Sequence, residues 1–142
     1  MKKIIALIFV VASLPVFASD SLDTKIVRKF SLDFPNAENV NWFEKSGIME
    51  VYYTASDVSC RIWYAANGEV IRTRRYYSEK DLAPYLRSIL SQAYPDKKIF
   101  GITESSTANK VDYSISLQND NSWIILTCNA MGEITRVQEM NK

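Results

Sequence analysis

The stretch 29–45, KFSLDFPNAENVNWFEK, comes back at 89–105 as ILSQAYPDKKIFGITES. Each copy ends an apolar helical stripe, breaks at a proline, and then alternates apolar and polar residues. Outward from this pair the match continues: Pro35, Val51, Tyr53, Gly68, Glu69 and Arg72 return as Pro95, Val111, Tyr113, Gly132, Glu133 and Arg136. The offset is 60 residues at Pro35 and 64 at Gly68. A repeat of this length is a whole supersecondary unit.

The first unit opens with Leu22, Ile26, Phe30 and Phe34 at four-residue spacing, with Val27 beside them. This is one apolar stripe of a helix, with charges between. Asp20 or Ser21 is placed to cap it, and Pro35 stops it by driving the preceding residue out of helical conformation. The second stripe is Leu82, Leu86, Leu90 and Tyr94, widened by Ile89 and stopped by Pro95. Pro84 is tolerated only in a first turn, so this helix starts near Leu82 to Pro84, with Ser78–Asp81 a separate capping turn.

Short alternating runs follow each proline. Val40 and Trp42 align with Phe100 and Ile102; Val51 and Tyr53 with Val111 and Tyr113; Cys60, Ile62 and Tyr64 with Ile124, Leu126 and Cys128; Val70 with Ile134. Period-two alternation predicts antiparallel strands with one face on a core. Asn67-Gly68 marks a tight turn, and Asn119-Asp120-Asn121 is expected to lengthen the second copy. A single helix on four strands buries little by itself. The expected fold is therefore α+β: a tandem repeat of one helix plus about four antiparallel strands, forming one shared sheet with both helices on one face. Residues 19–77 and 78–142 are the two repeats of one compact domain, with Arg74–Glu79 as the crossover.

Residues 1–18 read as a secretory signal. Lys2 and Lys3 precede the apolar run Ile4–Val16, and Val16-Phe17-Ala18 suits cleavage. The run is shorter than the roughly 20 residues of a membrane span. Cleavage near Ala18 implies a periplasmic or secreted protein without a stable membrane span. The chain carries 17 basic and 16 acidic residues; loss of Lys2 and Lys3 brings the net charge to about −1. This balance does not favour nucleic acid or an anionic membrane.

No histidine is present. That removes Ser-His-Asp and Cys-His triads, the usual zinc sets and the commonest general base near neutral pH. Four scattered glycines make no phosphate-binding loop. Glu44/Glu104 and Glu69/Glu133 sit at strand ends and after turn glycines, where carboxylates are solvated. Cys60 and Cys128 could pair in an exported protein. Each, however, stands where the other copy has a large apolar residue, which favours two buried thiols. The expectation is a non-enzyme with no catalytic residues, no metal and no cofactor.

The aromatic residues are more informative. Alternation puts Trp42, Tyr53, Ile62, Tyr64 and Leu126 on the core side. It leaves Phe43, Tyr52, Arg61, Trp63, Arg75 and Trp123 on the uncovered side of the sheet. Large aromatics with arginine are what protein-binding surfaces use, although cross-strand pairing alone could also account for them. In the basic run Arg72, Arg74, Arg75, alternation sends Arg72 and Arg74 one way and Arg75 the other. The expected function is a non-catalytic binder of an exported protein or peptide, inhibitor-like. The alternative is a small-molecule or anion carrier anchored by Arg61, Arg72 or Arg75.

Taken together, the leader, Phe34-Pro35-Asn36-Ala37 leading to Asn41-Trp42, the hairpin at Asn67-Gly68, Leu82 through Pro84, and Tyr94-Pro95 resemble the PepSY-like family of exported bacterial proteins. That family is also described as beta-lactamase-inhibitor-protein-like, after its fold. The resemblance covers nearly the whole chain beyond the leader. It implies an architecture and an exported location, and it carries no catalytic residue.

Overall fold

The computed structural model describes residues 23–142. The expected leader and Leu22 lie outside the described residues. Helix α1 spans Thr24–Asp33. Its cap is Asp23, whose Oδ1 accepts from the Lys25 N–H at 2.9 Å, so the cap falls later than the Asp20 or Ser21 expected. Phe34 closes the helix by donating its N–H to the Phe30 carbonyl, and Pro35 prevents continuation. Helix α2 spans Pro84–Ala93 with Pro84 in its first turn, where the missing N–H costs nothing. A 3₁₀ turn over Glu79–Asp81 precedes it.

Eight strands form one antiparallel sheet in strictly sequential order. The first four are β1 (Glu38–Lys45), β2 (Ile48–Ala55), β3 (Val58–Tyr64) and β4 (Val70–Tyr77). The last four are β5 (Lys98–Ser106), β6 (Val111–Gln118), β7 (Ser122–Asn129) and β8 (Ile134–Asn141). Arg74–Tyr77, expected in the crossover, instead complete β4 and pair with β5 through Arg75 opposite Glu104 and Tyr77 opposite Ile102. The crossover is the segment that carries the 3₁₀ turn and α2.

One face of the sheet builds the core. Met49, Val51, Tyr53, Cys60, Ile62, Tyr64, Ile102, Ile115, Leu117, Ile124, Leu126 and Cys128 are buried together with Ile26 and Phe30 of α1 and Leu86 and Leu90 of α2. We call this the inner face. Phe30 meets Trp42 and Tyr53 edge-on, with ring centroids 5.3 and 5.1 Å apart, an arrangement that favours aromatic pairs beyond their buried area.

Four bulges interrupt the pairing. One extra residue enters β1 between Glu38 and Asn41, and one enters β5 at Phe100 between Ile99 and Gly101. A second pair enters β4 at Ile71 and β8 at Thr135. A bulge reverses the facing of everything beyond it. Val40 and Phe100, aligned above with core residues, are consequently exposed.

The hairpin register also corrects the expected matching of residues 19–77 with residues 78–142. Trp42 faces Val51, and Ile102 faces Ile115. Rung for rung, Val51 therefore corresponds to Ile115 rather than Val111, and Tyr53 to Leu117 rather than Tyr113. The added length lies in the β5–β6 hairpin, which has one more rung, Ser106 opposite Val111, and a longer loop. It does not lie at Asn119–Asn121, since Thr54 opposite Ser59 and Gln118 opposite Trp123 enclose loops of equal length.

Candidate functional site

Two-residue turns align the first three strands. Ser46 and Gly47 both have positive φ, as do Ser56 and Asp57, the combination whose twist matches paired strands. The first turn places Ile48 beside Lys45 and Glu50 beside Phe43. Across the next ladder Glu50 faces Trp63 and Tyr52 faces Arg61. Phe43, Tyr52, Arg61 and Trp63 thus gather on the outer face, as expected. Phe43 and Trp63 flank a hollow of about 310 Å³, completed by Lys45, Ser46, Ile48 and Glu50. Phe43 is 60% exposed, far more than a core aromatic would be.

Arg75 does not belong to this surface. Without a bulge, alternation from Val70 would turn Arg75 outward. The extra residue Ile71 reverses it, so Arg75 faces Cys60 and Glu104 on the inner side. The same bulge turns Arg72 and Arg74 outward, opposite Trp63 and Arg61. The Arg72 guanidinium lies over the Trp63 ring at 4.1 Å and that of Arg74 at 5.7 Å. Arg61 reaches Glu50 Oε1 at 3.0 Å and stands over Tyr52 at 5.6 Å. Arg74 also donates to Ser105 Oγ and to the Tyr76 hydroxyl, each at 3.4 Å.

Trp123 is on the outer face but elsewhere. It sits on β7, four strands from Trp63, which is about 19 Å across the sheet at the usual strand spacing. Its rung runs through Gln118 and Lys98, at the opposite end of the strands from the Trp63–Arg72 rung. There it meets Phe100 edge-on at 4.8 Å, with Lys142 over it at 5.1 Å. The single aromatic patch read from alternation is two patches, because alternation reports a face and not a position on it.

Inside, Arg75 and Glu104 form an ion pair at 3.4 Å, and Tyr77 donates its hydroxyl to Glu104 Oε2 at 2.7 Å. Glu104 is thus held in a half-buried network, not solvated at a strand end. Burial pushes the Tyr77 hydroxyl strongly up, helped by the adjacent Glu104 carboxylate. Cys60 and Cys128 are buried and free. Burial raises both thiols, which makes them poor nucleophiles.

Sequence reasoning missed Lys45, Ile48, Arg72 and Arg74 as members of the outer cluster. Ser46-Gly47 carried the signal for Ile48, as a two-residue turn that sets it next to Lys45 and Phe43. No local signal announces the bulge at Ile71.

Among the described residues, no group of three or more acidic or cysteine side chains is placed to hold a metal ion. No helix there is long and apolar enough to cross a membrane. No family model and no curated protein matches the sequence. Solved structures do. A BLIP-like protein from Bacteroides fragilis has a TM-score of 0.63 at 14% identity, covering 84% of this chain and 86% of that one. A DUF2874 family protein from Bacteroides ovatus has a TM-score of 0.64 at 15% identity, covering 84% and 89%. A suspected periplasmic protein from Bacteroides eggerthii has a TM-score of 0.62 at 13% identity, covering 80% and 86%. At such identities the likeness concerns backbone alone, and on that ground the chain has a BLIP-like fold.

Proposed function

We propose that this chain is an exported, non-catalytic binding protein that grips a protein or peptide on the outer face of β1–β4. The observation that carries this reading is the hollow between Phe43 and Trp63, walled by Ile48 and crowned by stacked Arg72. Buried-core logic does not require these aromatics, since the inner face already supplies Trp42, Tyr53 and Tyr64. Exposed aromatic and arginine clusters are the residue types that dominate binding energy at protein interfaces. The absence of histidine from the sequence argues against most acid–base and nucleophilic chemistry. The periplasmic reading rests on the leader-like residues 1–18 and on the resemblance to the suspected periplasmic protein.

The fold is read as two tandem copies of one helix and four strands, with both helices against one face. Support comes from the element order and from the bulges, which recur at matching places in β1 and β5 and in β4 and β8. The alternative of an anion carrier loses support from the ion pairs. Arg61 is already paired with Glu50 and Arg75 with Glu104, which leaves Arg72 as the one of its three candidate anchors without a carboxylate partner among the described residues.

The test is capture of a partner from a periplasmic extract on immobilised protein, repeated with Phe43→Ala, Trp63→Ala and Trp123→Ala. Loss with the first two and retention with the third is the expected result. Undiminished capture by Phe43→Ala and Trp63→Ala would place binding elsewhere.

A further inference from the structure

The outer face of β1–β4 has a charge that the chain as a whole lacks. Lys45, Arg61, Arg72 and Arg74 share it with two carboxylates: Glu50, which is taken by Arg61 at 3.0 Å, and Glu38, opposite Thr54 at the far end of β1. Among the described residues, Lys45, Arg72 and Arg74 have no carboxylate at ion-pair distance. The next acid along the rung, Asp112 beyond Ser105, is held by Lys110 at 2.6 Å. The full sequence is nearly neutral, with 17 basic and 16 acidic residues. The cationic cluster is therefore a local departure.

It is also an expensive one. Arg61 and Arg74 stand directly opposite each other across β3 and β4, and like charges in that relation destabilise a sheet. The Arg61 Nε is buried without a hydrogen-bond partner, which costs desolvation at that atom. Stacking on Trp63 fixes the plane of Arg72, and a planar, pre-oriented guanidinium suits a carboxylate bidentately.

Resting on the binding reading above, we propose that the partner of this face is an acidic peptide segment with an apolar anchor residue. The anchor enters the hollow between Phe43, Ile48 and Trp63. Carboxylates on either side meet Lys45 at one rim and Arg72 and Arg74 at the other. An apolar hollow beside unpaired cations fits this chemistry better than it fits a simple anion, which would gain nothing from Phe43 and Ile48.

The experiment is selection of a random peptide library, displayed on phage, against the immobilised protein. The expected pool has Asp or Glu flanking a Leu, Phe or Trp. A synthetic peptide from that pool should bind at least tenfold more weakly to the Arg72→Gln/Arg74→Gln double variant. It should lose a similar factor when NaCl is raised from about 50 to about 300 mM, as screening of exposed charges requires. Its Asn/Gln counterpart should bind weakly at any salt.

A neutral or basic pool that still depends on Trp63 and Phe43 overturns the acidic class and leaves the binding face standing. A pool indifferent to Trp63→Ala and Phe43→Ala, or no pool above background, overturns both. Displacement by inorganic phosphate at the concentration that displaces the peptide itself would reassign the cluster to a small anion and overturn the proposal. Arg72→Gln/Arg74→Gln is the primary variant because both side chains are on the surface. A circular-dichroism melt of each variant separates lost binding from lost folding.

Discussion

Cys60 and Cys128 stand on one cross-strand rung of the inner face. The rung passes from Cys60 to Arg75, Glu104, Tyr113 and Cys128, four strand steps in all. That is about 19 Å, far beyond the Cα separation of roughly 6 Å that a disulfide needs. Both thiols are buried and shifted toward the protonated form. Native protein should therefore resist alkylation by iodoacetamide and release both thiols to it in denaturant. Its melting temperature should be the same with and without dithiothreitol. A reductant-dependent melting temperature would show a bridge and contradict the register.

Glu104 joins two neighbours on this inner face, Arg75 and Tyr77. The two contacts are unequal. Arg75 is 44% exposed along its side chain, so solvent screens the ion pair and its worth is small. Tyr77 is buried, and Glu104→Ala would strand its hydroxyl at a cost of about 1–3 kcal/mol. Arg75→Ala should cost less. Adding Tyr77→Phe to Glu104→Ala should recover part of the loss, a non-additivity that denaturant titration of the four-member cycle reads directly.

Gly68 and Gly132 close equivalent turns with φ of +83° and +85°, yet alanine should not be tolerated equally. A Cβ on Gly68 would meet Ile26 Cγ1 at 3.6 Å, an ordinary contact. On Gly132 it would meet Ile89 Cδ1 at 2.5 Å and Leu86 Cδ2 at 3.3 Å, both from α2. Each substitution costs about 1 kcal/mol for the left-handed backbone. Gly132→Ala adds an overpacking cost of about 1–3 kcal/mol. Its urea midpoint should fall clearly below that of Gly68→Ala.

Stability should fall in strong alkali. Tyr64 has its hydroxyl pushed up to about 12 by burial, with the Asp33 carboxylate adding to the effect; Tyr53, Tyr77 and Tyr113 are also raised, chiefly by burial. The unfolded chain releases these protons near pH 10, while the folded chain still holds them. The raised groups thus contribute fully below about pH 10, and their contribution is lost as pH climbs through the folded value. Urea midpoints should be flat from neutral pH to about 8, begin to decline as the unfolded thiols of Cys60 and Cys128, also raised in the fold, ionise, and decline further above about pH 10. Tyr64→Phe should make the decline shallower without abolishing it.

Arg72 stacks on Trp63 at the surface, where such a contact is worth about 0.5–1 kcal/mol. Arg72→Gln should therefore shift the unfolding free energy by no more than about 1 kcal/mol. Arg74→Gln should be neutral or stabilising, since it relieves the repulsion with Arg61 across the rung. Thermal or urea melts of the two single variants check both signs.

Much of the fold is legible without coordinates. The prolines at 35 and 95 stop helices because their geometry acts on the residue just before them. Period-two runs name Val51, Tyr53, Ile62, Tyr64 and Leu126 as core because strand side chains alternate whatever the neighbours do. The same reasoning put Phe43, Tyr52, Arg61 and Trp63 on the outward side, but it grouped Arg75 and Trp123 with them. All of these are consequences of a few consecutive residues.

What the residues could not disclose is long-range. Whether Arg75 or Arg74 faces Trp63 depends on a single extra residue at Ile71, and an extra residue is defined only against the strand it fails to match. Whether Val111 or Ile115 corresponds to Val51 depends on which rung closes the β5–β6 hairpin. Whether Trp63 and Trp123 form one patch depends on strand order and on position along the strands. Alternation is a property of one strand, and so the sequence by itself determined which elements form and which residues are apolar. Register is a property of two strands, and the tertiary structure alone decided which side chains meet.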